Sequence, residues 1–295
     1  MYVIKLRTLI IYAIIACILM IGFNYIGSDS KTVVSDTSPT AIGLKLPIIM
    51  YHGITTEQKR VGKYVISCDM FKSDLKYLKD NGYTTILIKD LIDYVNADGT
   101  LPNKPILLTF DDGYYNNYVY AYEMLKENNM KAVISIIGKW TDVYTENEEP
   151  NPIYSHLTWD NINELLDSGI IEIQNHSYDM HTINNGRNGT KKKMGESDID
   201  YKVALTGDIE RLQNEFKANT LNKYSPTCFT YPYGSISPES QAIIKDIGFK
   251  ASLSCEEKIN IIEKGNPECL YLMKRYLRDN VTSVEKILQK SIKQD

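Results

Sequence analysis

Two hydrophobic periods alternate along the chain. Short, mostly apolar runs recur at Leu46–Tyr51, Tyr83–Ile88, Pro105–Phe110, Ala132–Ile137, Ile170–Ile173, Thr227–Thr230 and Phe249–Leu253. Runs of this length predict buried strands. Between them the apolar positions fall at helical spacing. Met70 to Lys79 carries Met70, Phe71, Leu75 and Leu78 on one face, with Asp69 as its N-cap and Gly82 as its stop. Asp90–Val95, Tyr118–Glu127, Tyr201–Phe216, Pro238–Ile247 and Val284–Ile292 read the same way, as does Trp159–Leu166 between the cap Thr158 and the stop Gly169. Strands alternating with helices predict a parallel sheet. Six or more such units in ~250 residues fit one distorted (β/α) barrel better than two domains. The chain shows no internal repeat.

Thr8–Ile26 breaks this pattern, being 19 residues without a charge. About 20 such residues cross a bilayer core. Lys5 and Arg7 precede the segment, and a Ser/Thr-rich stretch with Asp29 and Lys31 follows it. The positive flank stays in the cytoplasm, so the bulk of the chain is expected outside, on a single-pass anchor in the cell membrane. Three readings compete. A cleaved signal peptide has a shorter apolar region and a clear cleavage site. A lipoprotein signal would use Ile14-Ile15-Ala16-Cys17, but another apolar run follows Cys17. A buried helix of a soluble domain is the third. The expected organisation is a signal anchor at 1–27, a linker at 28–45 containing Pro39, and one catalytic domain at 46–295.

Composition excludes several classes. Apolar residues are 43% and charged residues 24%, which are globular values and rule out disorder throughout. The formal charge of -4 leaves no basic excess for a nucleic-acid backbone, so no nucleic-acid partner is expected. Tyrosines, 22 of them, suit sugar or peptide surfaces, but a general bias toward Lys, Ile, Asn and Tyr explains them equally well. Of the five cysteines, none forms a C-x-x-C pair, so a thiolate zinc site is not expected. Cys255 and Cys269 either pair across a hairpin or remain free thiols.

Placement of the polar residues carries the functional signal. His52, Asp111-Asp112, His176 and Tyr231-Pro232-Tyr233-Gly234 each follow an expected parallel strand. In barrels and open α/β sheets that edge holds the active site. Adjacent carboxylates diverge at a strand end, so one can bind a cation while the other holds or deprotonates a water. An N-cap and turn is the plain alternative for Asp-Asp-Gly. His176 and His181 are five residues apart, about 140° on a helix. They converge only if the chain turns between them. With Asp112 they form two imidazoles and one carboxylate, a common catalytic metal set with open positions. The remaining histidine, His156, reads as incidental.

Thr109-Phe110-Asp111-Asp112-Gly113, followed by His176-Ser177-Tyr178-Asp179-Met180-His181, resembles the polysaccharide deacetylases of carbohydrate esterase family 4, the NodB-homology domain. Tyr231-Pro232-Tyr233-Gly234 matches the third motif in its Pro-Tyr-Gly part. The resemblance covers roughly Ile48 to Tyr276 and implies a distorted (β/α) barrel that removes N-acetyl groups from GlcNAc-type polymers with a divalent metal. Three departures stand out. One residue is inserted between the two histidines, as in the poly-GlcNAc deacetylase branch, which also opens with a Tyr-His strand end like Tyr51-His52. The usual Arg before the third motif is missing. No C-terminal His follows Leu270, where Leu270 to Arg275 lacks one.

The resemblance implies Asp112, His176 and His181 as metal ligands and Asp111 as base. It implies the backbone N–H of Tyr233 as oxyanion donor and His52 as general acid. Arg275 is a candidate for the missing base-orienting Arg. Zinc is the default metal, and cobalt, nickel or iron fit the same ligands. The expected substrate is a GlcNAc-containing glycan, peptidoglycan or an exopolysaccharide. The altered motifs motivate an alternative, a non-catalytic glycan-binding protein on the same fold. A small-amide hydrolase on this barrel is an argument from fold analogy alone. Two insertions border the site, Lys139–Leu157, acidic at Glu146, Glu148 and Glu149, and Thr182–Asp198 with Lys191-Lys192-Lys193. Trp140, Trp159 and Tyr233 are the candidate sugar platforms, Trp159 reading better as core and the lysine run as solvated loop. Sequence leaves the oligomeric state open.

Overall fold

The computed structural model describes residues 43–96, 99–146 and 150–292. The apolar segment Thr8–Ile26, most of the expected linker, and Glu148 and Glu149 lie outside them. Among the described residues no helix is long and apolar enough to cross a membrane.

The first part of the chain runs β1 (Leu44–Leu46), β2 (Ile48–Tyr51), β3 (Gly53–Thr55), β4 (Val65–Ser67), α1 (Cys68–Asp80), β5 (Thr84–Ile86), α2 (Ile88–Asn96) and β6 (Pro105–Phe110). A π-helical turn at Asn117–Tyr122 then leads into α3 (Glu123–Glu127), β7 (Ala132–Ile136), α4 (Gly138–Thr145), α5 (Trp159–Asp167) and β8 (Ile171–Asn175). The short pair β9 (Ile183–Asn184) and β10 (Arg187–Asn188) precedes α6 (Asp198–Asn219), β11 (Cys228–Thr230), α7 (Pro238–Ile247) and β12 (Ala251–Leu253). The chain closes with β13 (Asn260–Ile262), β14 (Tyr276–Leu277) and α8 (Val284–Ile292).

Eight of these strands form one sheet in the order β12-β11-β8-β7-β6-β2-β14, with β5 also paired to β6. Every pairing within it is parallel. Its two ends meet through one stretch of chain. Leu253 of β12 bridges to Met273 in parallel, while Leu277 of β14 pairs with Met50 of β2. The sheet therefore curls until residues 273–277 join both edges.

Strand residues alternate between two cores, as a pleated backbone requires. Ile48, Leu107 and Val133 point into one, while Ile49, Leu108 and Ile134 point into the other. The second core receives Phe71, Leu75 and Leu78 of α1 and Ile162 and Leu165 of α5. All five are fully buried, and each such side chain contributes ~1.5–3 kcal/mol.

Local signals explain most boundaries. The cap of α1 is Ser67, whose Oγ accepts from the Met70 N–H at 3.1 Å. Asp69 sits in the first turn instead, where its charge favours the helix dipole. Thr158 and Asn161 form a full capping box on α5. Gly82 and Gly169 end their helices at positive φ. Helix α4 occupies the start of the first insertion, where the hydrophobic pattern predicts no element. It is held from outside, because Thr145 Oγ1 accepts from Trp159 N at 3.0 Å and Asp142 accepts from the Trp159 ring N–H at 2.9 Å. Trp159 is thus core, and Trp140 of α4 is 40% exposed. Cys68, Cys228, Cys255 and Cys269 are free thiols.

Candidate active site

β6 ends at Phe110, and the next three residues build the centre of the site. Asp111 is buried against Arg275, which is itself fully buried. Arg275 Nη1 donates to Asp111 Oδ1 at 2.6 Å and Nη2 to Oδ2 at 2.8 Å. The guanidinium is fixed from behind, since its Nε donates to the Ser254 carbonyl at 2.8 Å and Nη1 to Thr109 Oγ1 at 3.2 Å. Such a two-pronged pair fixes orientation as well as charge. Burial pushes the Asp111 carboxyl up, but Arg275 together with His176 and His52 outweighs it, and the net shift is downward.

Asp112 takes a left-handed backbone, φ 71°, and so does Gly113, φ 70°. A Cβ on residue 113 would meet Ile136 Cγ2 at 2.9 Å, so the Asp-Asp-Gly turn needs glycine there. The turn aims the Asp112 carboxylate at two imidazoles. Asp112 Oδ1 lies 3.6 Å from His176 Nε2 and 3.2 Å from His181 Nε2. The three ligand atoms all lie within 4.8 Å of one another.

The chain does turn between the histidines. His176 follows β8 directly, and Ser177 adopts φ 73° with its N–H on Asn175 Oδ1 at 2.8 Å. Asp208, from α6, then accepts the N–H groups of Tyr178 and Asp179, each at 2.8 Å. Arg211 donates to the Tyr178 hydroxyl at 2.7 Å, and that hydroxyl donates to Asp142 at 2.9 Å. The inserted residue is thereby absorbed in a pinned loop that returns His181 to the site.

His176 Nδ1 lies 2.7 Å from the Thr230 carbonyl, which can only accept. Nδ1 therefore carries a hydrogen, and Nε2 is the nitrogen that faces Asp112. Burial lowers His176, but the neighbouring carboxylates of Asp112 and Asp111 outweigh it and raise the net value. Burial and the neighbouring His176 push His181 down to about 4, so it is neutral at pH 7. Asp112 is held ionised despite its burial, chiefly by His176.

These residues fit a divalent cation. Asp112 Oδ1 is buried without a hydrogen-bond partner, although two imidazoles face it. An orphaned buried carboxylate oxygen is costly unless something positive meets it. One carboxylate and two imidazoles supply a suitable donor set.

His52 follows β2. Its carbonyl accepts from Asn117 Nδ2 at 2.8 Å, and its ring lies 4.9 Å from that of Tyr64. Its Nδ1 is buried without a partner. Tyr233 sits in a turn at φ 57°, with its ring 4.2 Å from His181 and its hydroxyl donating to the His181 carbonyl at 3.3 Å. All six expected polar positions thus gather at one sheet edge, with Arg275 entering from the closing stretch. Sequence reading misses Asp208, Arg211, Asn117 and its neighbour Asn116, whose Oδ1 accepts from the Ile54 N–H at 2.9 Å. The asparagines directly follow Tyr114-Tyr115 after the Asp-Asp-Gly turn, a usable hint. Asp208 gives none, lying mid-helix.

A curled parallel sheet thus carries paired carboxylates and two histidines at its C-terminal edge, and Asp112, His176 and His181 form a possible donor set for a metal ion. A polysaccharide deacetylase family model matches residues 98–252, and the chain belongs to that family. It is 31% identical over 214 residues to YxkH of Bacillus subtilis (strain 168), whose name places it among the polysaccharide deacetylases. That match covers 72% of this chain and 65% of the relative. The poly-beta-1,6-N-acetyl-D-glucosamine N-deacetylase of Staphylococcus aureus (strain MRSA252) is 26% identical over 204 residues, 69% of this chain and 65% of its own. The chain thus spans just under two thirds of both relatives. A solved de-N-acetylase from Aggregatibacter actinomycetemcomitans superposes with a TM-score of 0.70 at 27% identity, covering 83% of this chain and 99% of that one.

Proposed function

We propose that this protein removes acetyl groups from the N-acetylglucosamine units of a polysaccharide, using a divalent metal held by Asp112, His176 and His181. The observation that carries the reading is the paired geometry at Asp111 and Asp112. One carboxylate is locked by Arg275, and the other faces two imidazoles with an unpartnered oxygen. Zinc is the default metal for these ligands. When bound, such a metal supplies Lewis-acid activation of the acetamide carbonyl and of a water.

The chain's own groups do the rest. Asp111, oriented by Arg275, accepts the proton of the attacking water. The Tyr233 N–H donates to the oxyanion that develops. His52 gives a proton to the departing amine, whose poor leaving ability otherwise limits amide hydrolysis. The Arg275–Asp111 pair supplies the base-orienting contact that the third motif lacks, which weighs against a non-catalytic role. The likeness to the S. aureus poly-beta-1,6-N-acetyl-D-glucosamine N-deacetylase favours that polymer over peptidoglycan. An outward-facing domain on an N-terminal anchor suits such a substrate. The uncharged run Thr8–Ile26 behind Lys5 and Arg7 supports that placement.

Incubating the full chain with both glycans and Zn²⁺, and measuring acetate, tests the reading. Release from poly-β-1,6-N-acetylglucosamine is expected, and release from neither glycan would defeat it.

His52 gives a separate prediction. Burial pushes its pKa below the ordinary histidine value, against the upward pull of Asp111 and Asp112. A general acid is active while protonated, so activity falls as pH rises through its pKa. The alkaline limb of kcat/KM is therefore expected below the ordinary histidine range. His52→Ala should cut the rate about 10²–10⁴-fold, abolish that limb and leave the metal bound. A rate within about threefold of wild type, with the limb intact, would remove His52 from the mechanism.

A further inference from the structure

His156 is not incidental. It is buried, and its Nδ1 lies 2.8 Å from the backbone carbonyl of Asp112. That carbonyl belongs to the left-handed residue whose carboxylate faces His176 and His181. A carbonyl only accepts, so the bond fixes the His156 tautomer with its hydrogen on Nδ1.

Its surroundings leave the imidazole little freedom. Its ring centroid lies 4.9 Å from that of Tyr114, 5.6 Å from Tyr144 and 5.9 Å from Trp140. The backbone on both sides is tied to the same turn. Leu157 N donates to the Gly113 carbonyl at 2.8 Å, and Tyr115 N donates to the Ser155 carbonyl at 2.8 Å. Residues 155–157 therefore run antiparallel to 113–115, with Tyr114 bridged to His156. Directly beside this ribbon, the Asp112 carbonyl is bound by the His156 side chain. A non-glycine residue at positive φ persists only where its surroundings over-determine it. The His156 bond is one such determinant, and it acts on the residue that must present a ligand oxygen.

We propose that His156 is a positioning residue for the metal site, holding the Asp112 peptide so that its carboxylate meets the two imidazoles. This rests on the metal reading above. The donor, not the ring, carries the role. Partners one step removed from a ligand typically change metal affinity by about 10–100-fold when lost.

Two variants separate donor from ring. Asparagine places an N–H close to where Nδ1 stands but loses the aromatic stack. Phenylalanine keeps the stack and loses the donor. Zn²⁺ affinity of the full chain is read by competition with a chromophoric chelator, alongside thermal unfolding of the metal-free protein. His156→Phe is expected to bind Zn²⁺ at least about tenfold more weakly than wild type, and His156→Asn within about threefold. If His156→Phe does not fold, His156→Leu takes its place as the donor-free variant. Wild-type affinity in the donor-free variant would overturn the inference. Equal losses in both variants would also overturn it, by assigning the effect to the ring. If the wild type binds no Zn²⁺, the metal reading fails first and this inference falls with it.

Discussion

Asp111→Asn is expected to keep its metal and lose turnover. Asparagine preserves the shape of the side chain and one acceptor for Arg275, but it cannot take a proton from water. Loss of a positioned general base costs about 10²–10⁴-fold in rate. The same substitution leaves the buried Arg275 charge without its counter-charge. Breaking a buried ion pair from one side typically costs ~3–5 kcal/mol. The variant should therefore unfold at lower temperature, and its rate must be measured well below that midpoint. Asp112→Asn differs, because it touches the ligand instead of the base. Its metal content should fall together with its rate. Elemental analysis of both variants beside acetate release separates the two carboxylates. Equal metal content and equal residual rate would erase the division of labour between them.

His176→Ala and His181→Ala, singly and together, should lower metal content and activity by orders of magnitude. Each removes one of the three proposed metal ligands. The two are not equivalent in the fold. His176 is fully enclosed and tied to Thr230, so its loss also removes a link between β8 and β11. His181 is less enclosed and stands on a pinned loop, so its loss should spare stability more. A double variant that retains full metal occupancy would take the site out of consideration.

Much of this arrangement was legible in the sequence because strand ends are easy to read. Apolar runs located β2, β6, β8 and β11, and the polar residue after each run then had one possible edge to occupy. Helix ends were legible where a local signal fixed them, as at Thr158 and Gly169. What escaped was set by distant contacts. Helix α4 owes its place to Trp159 of another helix, and its residues show no helical period of their own. At the start of α1 the sequence offers two good caps, Asp69 and Ser67, and the structure uses Ser67. Arg275 was visible only as a gap in a motif, since its contact with Asp111 spans the closure of the sheet. Asp208 and His156 act on backbone groups, and a sequence carries no mark of which carbonyl or N–H a side chain will meet.

Acetate release from poly-β-1,6-N-acetylglucosamine, followed while metal-stripped protein is reloaded with Zn²⁺, tests the central claim most directly. The stripped protein should release none, and activity should return in proportion to Zn²⁺ and saturate at one ion per chain. Undiminished release by the stripped protein, or none after full reloading, would contradict it.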